Sequence, residues 1–507
     1  MTTVAPGKQR NLDLWLILLL AAVLRLWALD LKAPHFDEGI NGWFADRLRE
    51  TGTFAYNPTN YHGPWHFYTV FLSQSLFGRN LWALRLPPVI ASLLSIPVIF
   101  LFARWFGRTA VRWAALAFAV SPACVFYGRY SIHEPWFVLS CMVFIWGAIA
   151  LWLNRDKAGM WAAAAGLTGM ILNKETYLIQ AGSLALAAGV FALWNRVSPL
   201  QPPAERAATR GWSLRDALLA AGTMVFLIVF FYSGNFFHFK GLGDMFESLI
   251  AWTKTGAAAN GHEKTTFELL PFVNYYWLAL LARYEWPALA GLVWSLRYAW
   301  PGPAAPRLLA IYAGGVLLAY SLVPYKTPWC IISILWPWFL FFGAARANAR
   351  HVWARAVAVL LLAASLVMTL RLNFREFEND AEPYVYVQTY NSLRTLTDPL
   401  LDAARKDPRF YAIPGSIHTD YYPLPWVLGD FTHVGWVGKP NPEEGQPLPD
   451  SFAGKDFIVI ESKEAEKIRD KIGPGFEERQ FKFRSGMEEC TVFFSRRIIG
   501  QNWDLAP

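Results

Sequence analysis

The stretch RYSIHEPWFVLSCMVFIWGAIALWLNR, residues 129–155, decides the architecture. Between Phe137 and Leu153 it carries no charge. The whole apolar run, 131–153, is as long as the roughly 20 residues that cross a bilayer as a helix. Arg129, His133 and Glu134 stand at one mouth of the run and Arg155 at the other. Charges beside a membrane helix are costly and tend to mark function, so the first mouth is a place to look for chemistry.

Ten more runs of this kind flank it, at 12–29, 80–102, 109–127, 158–173, 177–195, 214–233, 274–296, 306–323, 329–345 and 352–371. The pattern predicts an α-helical polytopic membrane protein of about eleven transmembrane helices. Composition agrees: of 507 residues 54% are apolar and 17% charged, against about 25% charged in soluble domains. An ordinary soluble enzyme, a disordered chain and a disulfide scaffold are excluded. The four cysteines show neither CxxC nor Cys/His ligand spacing, so no zinc or redox site is indicated. The first run ends in LRLWALD rather than a small-residue cleavage site, and reads as a retained helix.

Charge sets the expected orientation. With the N-terminus inside, the five cytoplasmic connections hold Arg104, Arg108 and Arg112; Arg155 and Lys157; Arg196, Arg206, Arg210 and Arg215; Arg297 and Arg307; and Arg346, Arg350 and Arg355. Basic loops stay on the cytoplasmic side. The opposite loops mix signs, and an odd number of spans places the C-terminus outside. Residues 1–375 carry 31 Lys and Arg against 16 Asp and Glu, whereas 376–507 carry 15 against 22. The reading is a transmembrane domain, 1–375, joined to a small extracytoplasmic α/β domain, 376–507, in an inner or plasma membrane. Nothing in the balance calls for nucleic acid.

In the first outer loop, 30–79, residues 38–50 place Ile40, Trp43, Phe44 and Leu48 on one helical face, the pattern of an interfacial helix lying on membrane lipid. A second such segment spans 64–77. The loop at 234–273 is expected to order only with substrate. In the tail, strands are expected at 409–413, 456–460, 479–484 and 491–495, helices at 385–405 and 463–472, and Pro/Gly-rich linkage at 435–450.

The ionisable residues beside the spans gather at outer ends: Asp37 and Glu38; His62 and His66; Arg129, His133 and Glu134; Lys174 and Glu175; and Lys326. Each has a plain structural alternative. Asp37 suits a helix N-cap, Arg129 and Glu134 a turn-closing ion pair, and Lys174 and Glu175 a solvated loop. Lys326 suits snorkelling, and the histidines suit helix ends. Their restriction to one face is the stronger signal. Cations there would neutralise a lipid phosphate, and a carboxylate would take a proton from an attacking hydroxyl. Those parts fit sugar transfer from a lipid-phosphate donor.

The segments FDEG (36–39), HGPWHFY (62–68) and RYSIHEPW (129–136) resemble the GT-C membrane glycosyltransferases, in particular the protein O-mannosyltransferases and the lipid A aminoarabinose transferases. NKETYLI (173–179), PYKTPW (324–329) and YYPLPWVLGDF (421–431) are closer still to prokaryotic flippase-activity-associated membrane proteins. The resemblance implies an inverting transferase using a polyprenyl-phosphate sugar at the extracytoplasmic side. Its acceptor would be a glycan, lipid or protein. It assigns Asp37 as catalytic base, with Glu38 orienting, and Arg129, Lys174 and Lys326 as donor-phosphate contacts. Glu134, Glu175, His62, His66 and Tyr325 would contact substrate. A divalent metal, as in some relatives, would fall to His62, His66 or Glu134, and the sequence requires no cofactor. His133-Glu134 stands where the family pattern has Asp-Glu, and no WWDYG-like motif occurs. The alternative is a non-enzymatic lipid-linked-sugar flippase or flippase accessory, which needs the cations but no base. A structural assembly protein recruiting partners through its tail is a third reading.

Overall fold

The structure, a computed structural model, describes residues 12–60, 62–197, 211–258, 261–270, 273–298, 302–440, 448–449 and 451–499. The chain forms two compact units, Met1–Leu29 with Leu48–Glu376, and Asp30–Arg47 with Phe377–Pro507.

Every apolar run becomes helix in the first unit, but not every run becomes one long helix. Among the described residues seven helices are long and apolar enough to cross a bilayer: Leu81–Phe106, Glu134–Asn154, Tyr177–Val197, Leu214–Tyr232, Ala304–Leu322, Pro328–Asn348 and Val352–Phe374. A further apolar pair, Arg108–Val120 and Pro122–Arg129, is bent by 58° and makes an eighth crossing if the two count as one span. Ser121 and Pro122 cause the break. The Ser121 hydroxyl caps a new helix, and Pro supplies its first residue without needing a donor. The other three expected spans fall short. Leu12–Leu26 and Lys157–Ile171 hold 15 residues each, about 22 Å at 1.5 Å per residue. Run 274–296 divides at Glu285 into Tyr276–Tyr284 and Trp286–Tyr298. Apolarity marks where a chain enters lipid and is silent on where its helix stops.

Helices Glu134–Asn154 and Lys157–Ile171 form an antiparallel hairpin. Arg155 turns the chain in the left-handed region and Asp156 caps the second helix. Glycines set their separation. A Cβ on Gly147 would lie 2.3 Å from the Ala163 nitrogen, and one on Gly166 would lie 2.3 Å from that of Phe144. Close backbone contact of this kind is how small residues bind helices in lipid. The hairpin carries residue 174 back beside residue 134.

The loop expected to lack order instead holds a 19-residue helix, Lys240–Ala258. A short hairpin follows, pairing Glu268–Leu270 with Val273–Asn274.

In the second unit five strands are β1 (Gly415–His418), β2 (Val434–Trp436), β3 (Phe457–Glu461), β4 (Phe476–Lys482) and β5 (Glu489–Ser495). Their order is β2-β1-β3-β5-β4. β1 runs parallel to β2 and β3, and β5 pairs antiparallel with β3 and β4. Helix Ser462–Ile472 agrees with expectation, whereas the helix expected at 385–405 forms only from Arg394 to Lys406, after a 3₁₀ turn at Asn391–Leu393. The strand expected at 409–413 is a 3₁₀ turn started by Pro408, and the buried strand follows it at Gly415. β2 overlaps the start of the expected linker, of which 441–447 and 450 fall outside the described residues.

Helix Phe36–Thr51 packs a stripe of small residues against the protein, and of the face expected on lipid Leu48 is buried. Gly39, Gly42 and Ala45 are buried, while Ile40, Trp43 and Phe44 are half-buried. A Cβ on Gly39 would lie 2.4 Å from the Pro423 Cα, and one on Gly42 would lie 2.4 Å from the Trp426 ring. The small stripe is therefore what admits YYPLPW, and FDEG packs directly on it, with Phe36 edge-on to Tyr422 at 5.6 Å.

Candidate active site

The first unit assembles a buried polar group from three chain segments. The hairpin brings Lys174 to Glu134, and their side chains form an ion pair almost wholly out of solvent. Burial, the largest single influence, disfavours the Lys174 charge, but Glu134, Cys330 and Glu175 together outweigh it and hold this ammonium well above the ordinary lysine value. Next along the chain, the buried Glu175 carboxylate accepts a hydrogen bond from His62 Nδ1 at 3.1 Å.

The backbone fixes that approach. Gly63 N–H donates to the Asn173 carbonyl and Trp65 N–H to that of Leu172, both at 3.0 Å. A Cβ on Gly63 would lie 2.3 Å from the Leu172 oxygen, so only glycine brings HGPWH this close. The ring of His133 lies between His62 and His66, with centroids 4.8 and 4.7 Å away. Burial, then His66, His62 and Lys174, push His133 well below the ordinary histidine value, so it is neutral. His66 Nε2 shares a hydrogen bond with the Ser131 hydroxyl at 3.1 Å.

Arg129 and Lys326 stand differently. Arg129 donates to the carbonyls of Leu24, Arg25, Trp27 and Ala28 at 2.7–3.2 Å, and its guanidinium covers the Phe374 ring at 4.8 Å. It satisfies the orphan acceptors at the end of helix Leu12–Leu26 and forms no pair with Glu134. Lys326 does the same for helix Ala304–Leu322, donating to the carbonyls of Tyr320 at 3.0 Å, Ser321 at 3.1 Å and Val323. It neither snorkels nor reaches the carboxylates. The Tyr325 ring packs at a tilt against that of His262, with centroids 4.5 Å apart. Cys330 lies within electrostatic reach of both Lys326 and the Lys174–Glu134 pair.

In the second unit, Asp37 and Glu38 open helix Phe36–Thr51, where acidic groups suit the positive end of the helix dipole. Residue 35, not 37, is the cap. His35 Nδ1 accepts from the Asp37 N–H at 3.1 Å, and Nε2 donates to the Tyr386 carbonyl at 2.9 Å. Glu38, fully buried, reaches back to accept from the His35 N–H at 2.8 Å, the returning half of a capping box. Glu38 therefore holds the helix start. The Asp37 carboxyl is about one-third exposed, with Oδ2 3.9 Å from His35 Nδ1.

The site is thus four of the expected substrate residues, His62, His66, Glu134 and Glu175, gathered with Lys174. Sequence reading passed over His35, Arg25 and Glu285. The signal for the last two was a charge inside an apolar run. Among the described residues no group of three His, Cys, Asp or Glu side chains is arranged to hold a metal ion.

Comparison with known proteins agrees on the fold. A family model described as dolichyl-phosphate-mannose-protein mannosyltransferase matches residues 61–204, the segment that carries the polar group. No curated protein sequence matches the chain. The crystal structure of ArnT from Cupriavidus metallidurans in the apo state superposes with a TM-score of 0.56 at 16% identity, covering 97% of this chain and 100% of that one. The same protein bound to undecaprenyl phosphate gives 0.55 at 16% identity, covering 96% and 98%. The Archaeoglobus fulgidus oligosaccharyltransferase, in complex with Zn and sulfate, gives 0.50 at 12% identity, covering 93% and 72%. The fold is that of the GT-C membrane glycosyltransferases.

Proposed function

We propose that the protein is a membrane glycosyltransferase that moves a sugar from a polyprenyl-phosphate donor to an acceptor hydroxyl at the extracytoplasmic face. The observation that carries the reading is the buried Lys174–Glu134 pair with Glu175 and three histidines, built on a GT-C fold. The crystal structure of ArnT with undecaprenyl phosphate supports a polyprenyl carrier.

Lys174 is the cation suited to the donor phosphate, because Glu134 keeps it charged in a dry place where a charge-assisted bond is strong. Asp37 is the base. It takes the acceptor proton as the hydroxyl oxygen attacks the anomeric carbon, and the bond from that carbon to the phosphate oxygen breaks on the opposite face. The ammonium stabilises the charge growing on the departing polyprenyl phosphate, and the sugar inverts. Glu175 and His62 offer acceptor and donor groups to sugar hydroxyls. Arg129 and Lys326 serve by fixing helix ends. The basic loops favour the acidic second unit outside with the N-terminus in, which requires Leu12–Leu26, Lys157–Ile171 and the divided run 274–296 to cross as well.

The test is turnover in proteoliposomes supplied with a panel of undecaprenyl-phosphate sugars and envelope extract as acceptor. Asp37→Asn should lower release of undecaprenyl phosphate by at least 100-fold with folding intact. Unchanged release would remove Asp37 from the chemistry. Flipping of labelled donor that survives the change, without transfer, would favour the flippase reading.

A further inference from the structure

Helix Lys240–Ala258 is inside out for a helix in water. The side it turns to the protein is small and polar, with Gly241, Asp244 and Ser248 buried. Ser248 bonds the Tyr56 hydroxyl, itself in the field of Glu175. The side it turns outward runs Gly243, Phe246, Ile250, Thr253 and Ala257, a stripe at helical spacing. Phe246 is 64% exposed and Ile250 58%. Lys240, Glu247 and Lys254 recur every seventh residue along one flank of that stripe. A helix in water would reverse the arrangement.

The apolar surface continues from an established one. Helix Leu214–Tyr232 is a membrane span with only 11% of its apolar window buried. From its lipid-facing Phe226 an aromatic series runs to Phe230 at 6.1 Å, on to Phe236 at 5.4 Å and then Phe239 at 6.4 Å. Phe237 and Phe239 are 73% and 60% exposed. Left-handed residues at Gly234, Asn235 and Phe236 turn the chain out of the span within a few residues. The next helix therefore begins at the depth where the span ends.

We infer that helix Lys240–Ala258 docks on the outer leaflet. Its Phe246–Ile250 stripe and the Phe237–Phe239 turn lie among acyl chains, its Lys240–Glu247–Lys254 flank lies at the headgroups, and its Asp244–Ser248 side walls the polar group. The bilayer thereby holds one wall of the candidate site. The inference does not depend on the glycosyl-transfer reading.

Spin labels on single cysteines decide it, in full-length protein in phosphatidylcholine–phosphatidylglycerol vesicles. The unsubstituted chain sets the background from Cys124, Cys141, Cys330 and Cys490. Labels at Phe246→Cys, Ile250→Cys and Phe239→Cys should collide several-fold more with oxygen than with a water-soluble nickel chelate. Glu247→Cys and Lys254→Cys should show the reverse. Nickel preference at Phe246 and Ile250 would put the stripe in water, and protection there from both reagents would mean a protein partner covers it. Either result overturns the inference. The substituted positions are on an outward face, and a monodisperse elution profile identifies folded variants.

Discussion

Replacing Glu134 by Gln tests the polar group most directly, because it removes a charge while keeping the side chain's shape. The Glu134 and Lys174 side chains are 4% and 9% exposed, so the ammonium would be left in a dry place without its nearest partner. Two unit charges about 4 Å apart attract by about 4 kcal/mol at an effective dielectric of about 20. Breaking one side of a buried pair costs about 3–5 kcal/mol. The two figures agree, and the variant should lose about 4 kcal/mol. The pH response should change sign as well. In the native chain the Lys174 value is raised, so the pair's contribution is present below about pH 10 and is lost only as pH climbs through the still higher folded value. Without Glu134, burial, the largest influence on this group, draws the value down. The unfolded chain then holds more protons than the folded one, and stability rises with pH. Equilibrium unfolding in mixed detergent micelles at pH 7 and pH 9, followed by circular dichroism, reads both effects. Glu134→Gln with Lys174→Met should recover most of the loss. A cost for Glu134→Gln below about 1 kcal/mol, additive with Lys174→Met, would refute the buried-pair account.

Gly63→Ala should cost at least about 3 kcal/mol, since its new carbon meets the Leu172 carbonyl rather than a movable side chain; the folded yield on size exclusion measures it. Gly39→Ala meets the Pro423 backbone, and hydrogen exchange should quicken in Phe36–Thr51 and 421–426 together. His418 is 1% exposed, and its value is pushed down to about 4, chiefly by burial and then by Lys455. Its folded value lies below its unfolded one, so stability falls as pH drops from about 6.5 to about 4, by up to about 3 kcal/mol. Exchange at Gly415–His418 in the full chain should report that loss, and His418→Leu should flatten it.

The sequence made the fold class legible because lipid imposes a length and an apolarity on each crossing, and both are written locally. It pointed to candidate residues for a similar reason, since charge beside an apolar run stands out. Partners were another matter. The plain alternative for Glu134 is a pair with Arg129, five residues back, whereas the hairpin returns Lys174 from forty residues on. Arg129, Lys326 and Glu38 carry charge at the right face and are engaged with backbone groups at helix starts and ends. Whether a cation meets a carboxylate or a carbonyl depends on where helices stop. The breaks at Ser121 and Glu285 show how little of that a periodic pattern records.

Those breaks also bear on transfer against transport. A crossing interrupted within the bilayer frees backbone groups that must be satisfied inside the protein, and here named side chains meet many of them. Arg25, buried within its apolar run, donates to the Phe118, Ala119 and Cys124 carbonyls and to the Ser92 hydroxyl. Thr369 donates to the Val120 carbonyl at 2.7 Å. Beyond the break, Glu285 accepts from the Ser121 hydroxyl and the Ala123 N–H, both at 2.7 Å. The positive charge thus sits at the carbonyl end of one half-helix and the negative charge at the amide end of the next, each matched to the local dipole. A carrier that moves a charged headgroup needs intramembrane charges that exchange partners along a route. Here both are tied to backbone atoms at the bend, an arrangement that favours the proposed transfer over transport.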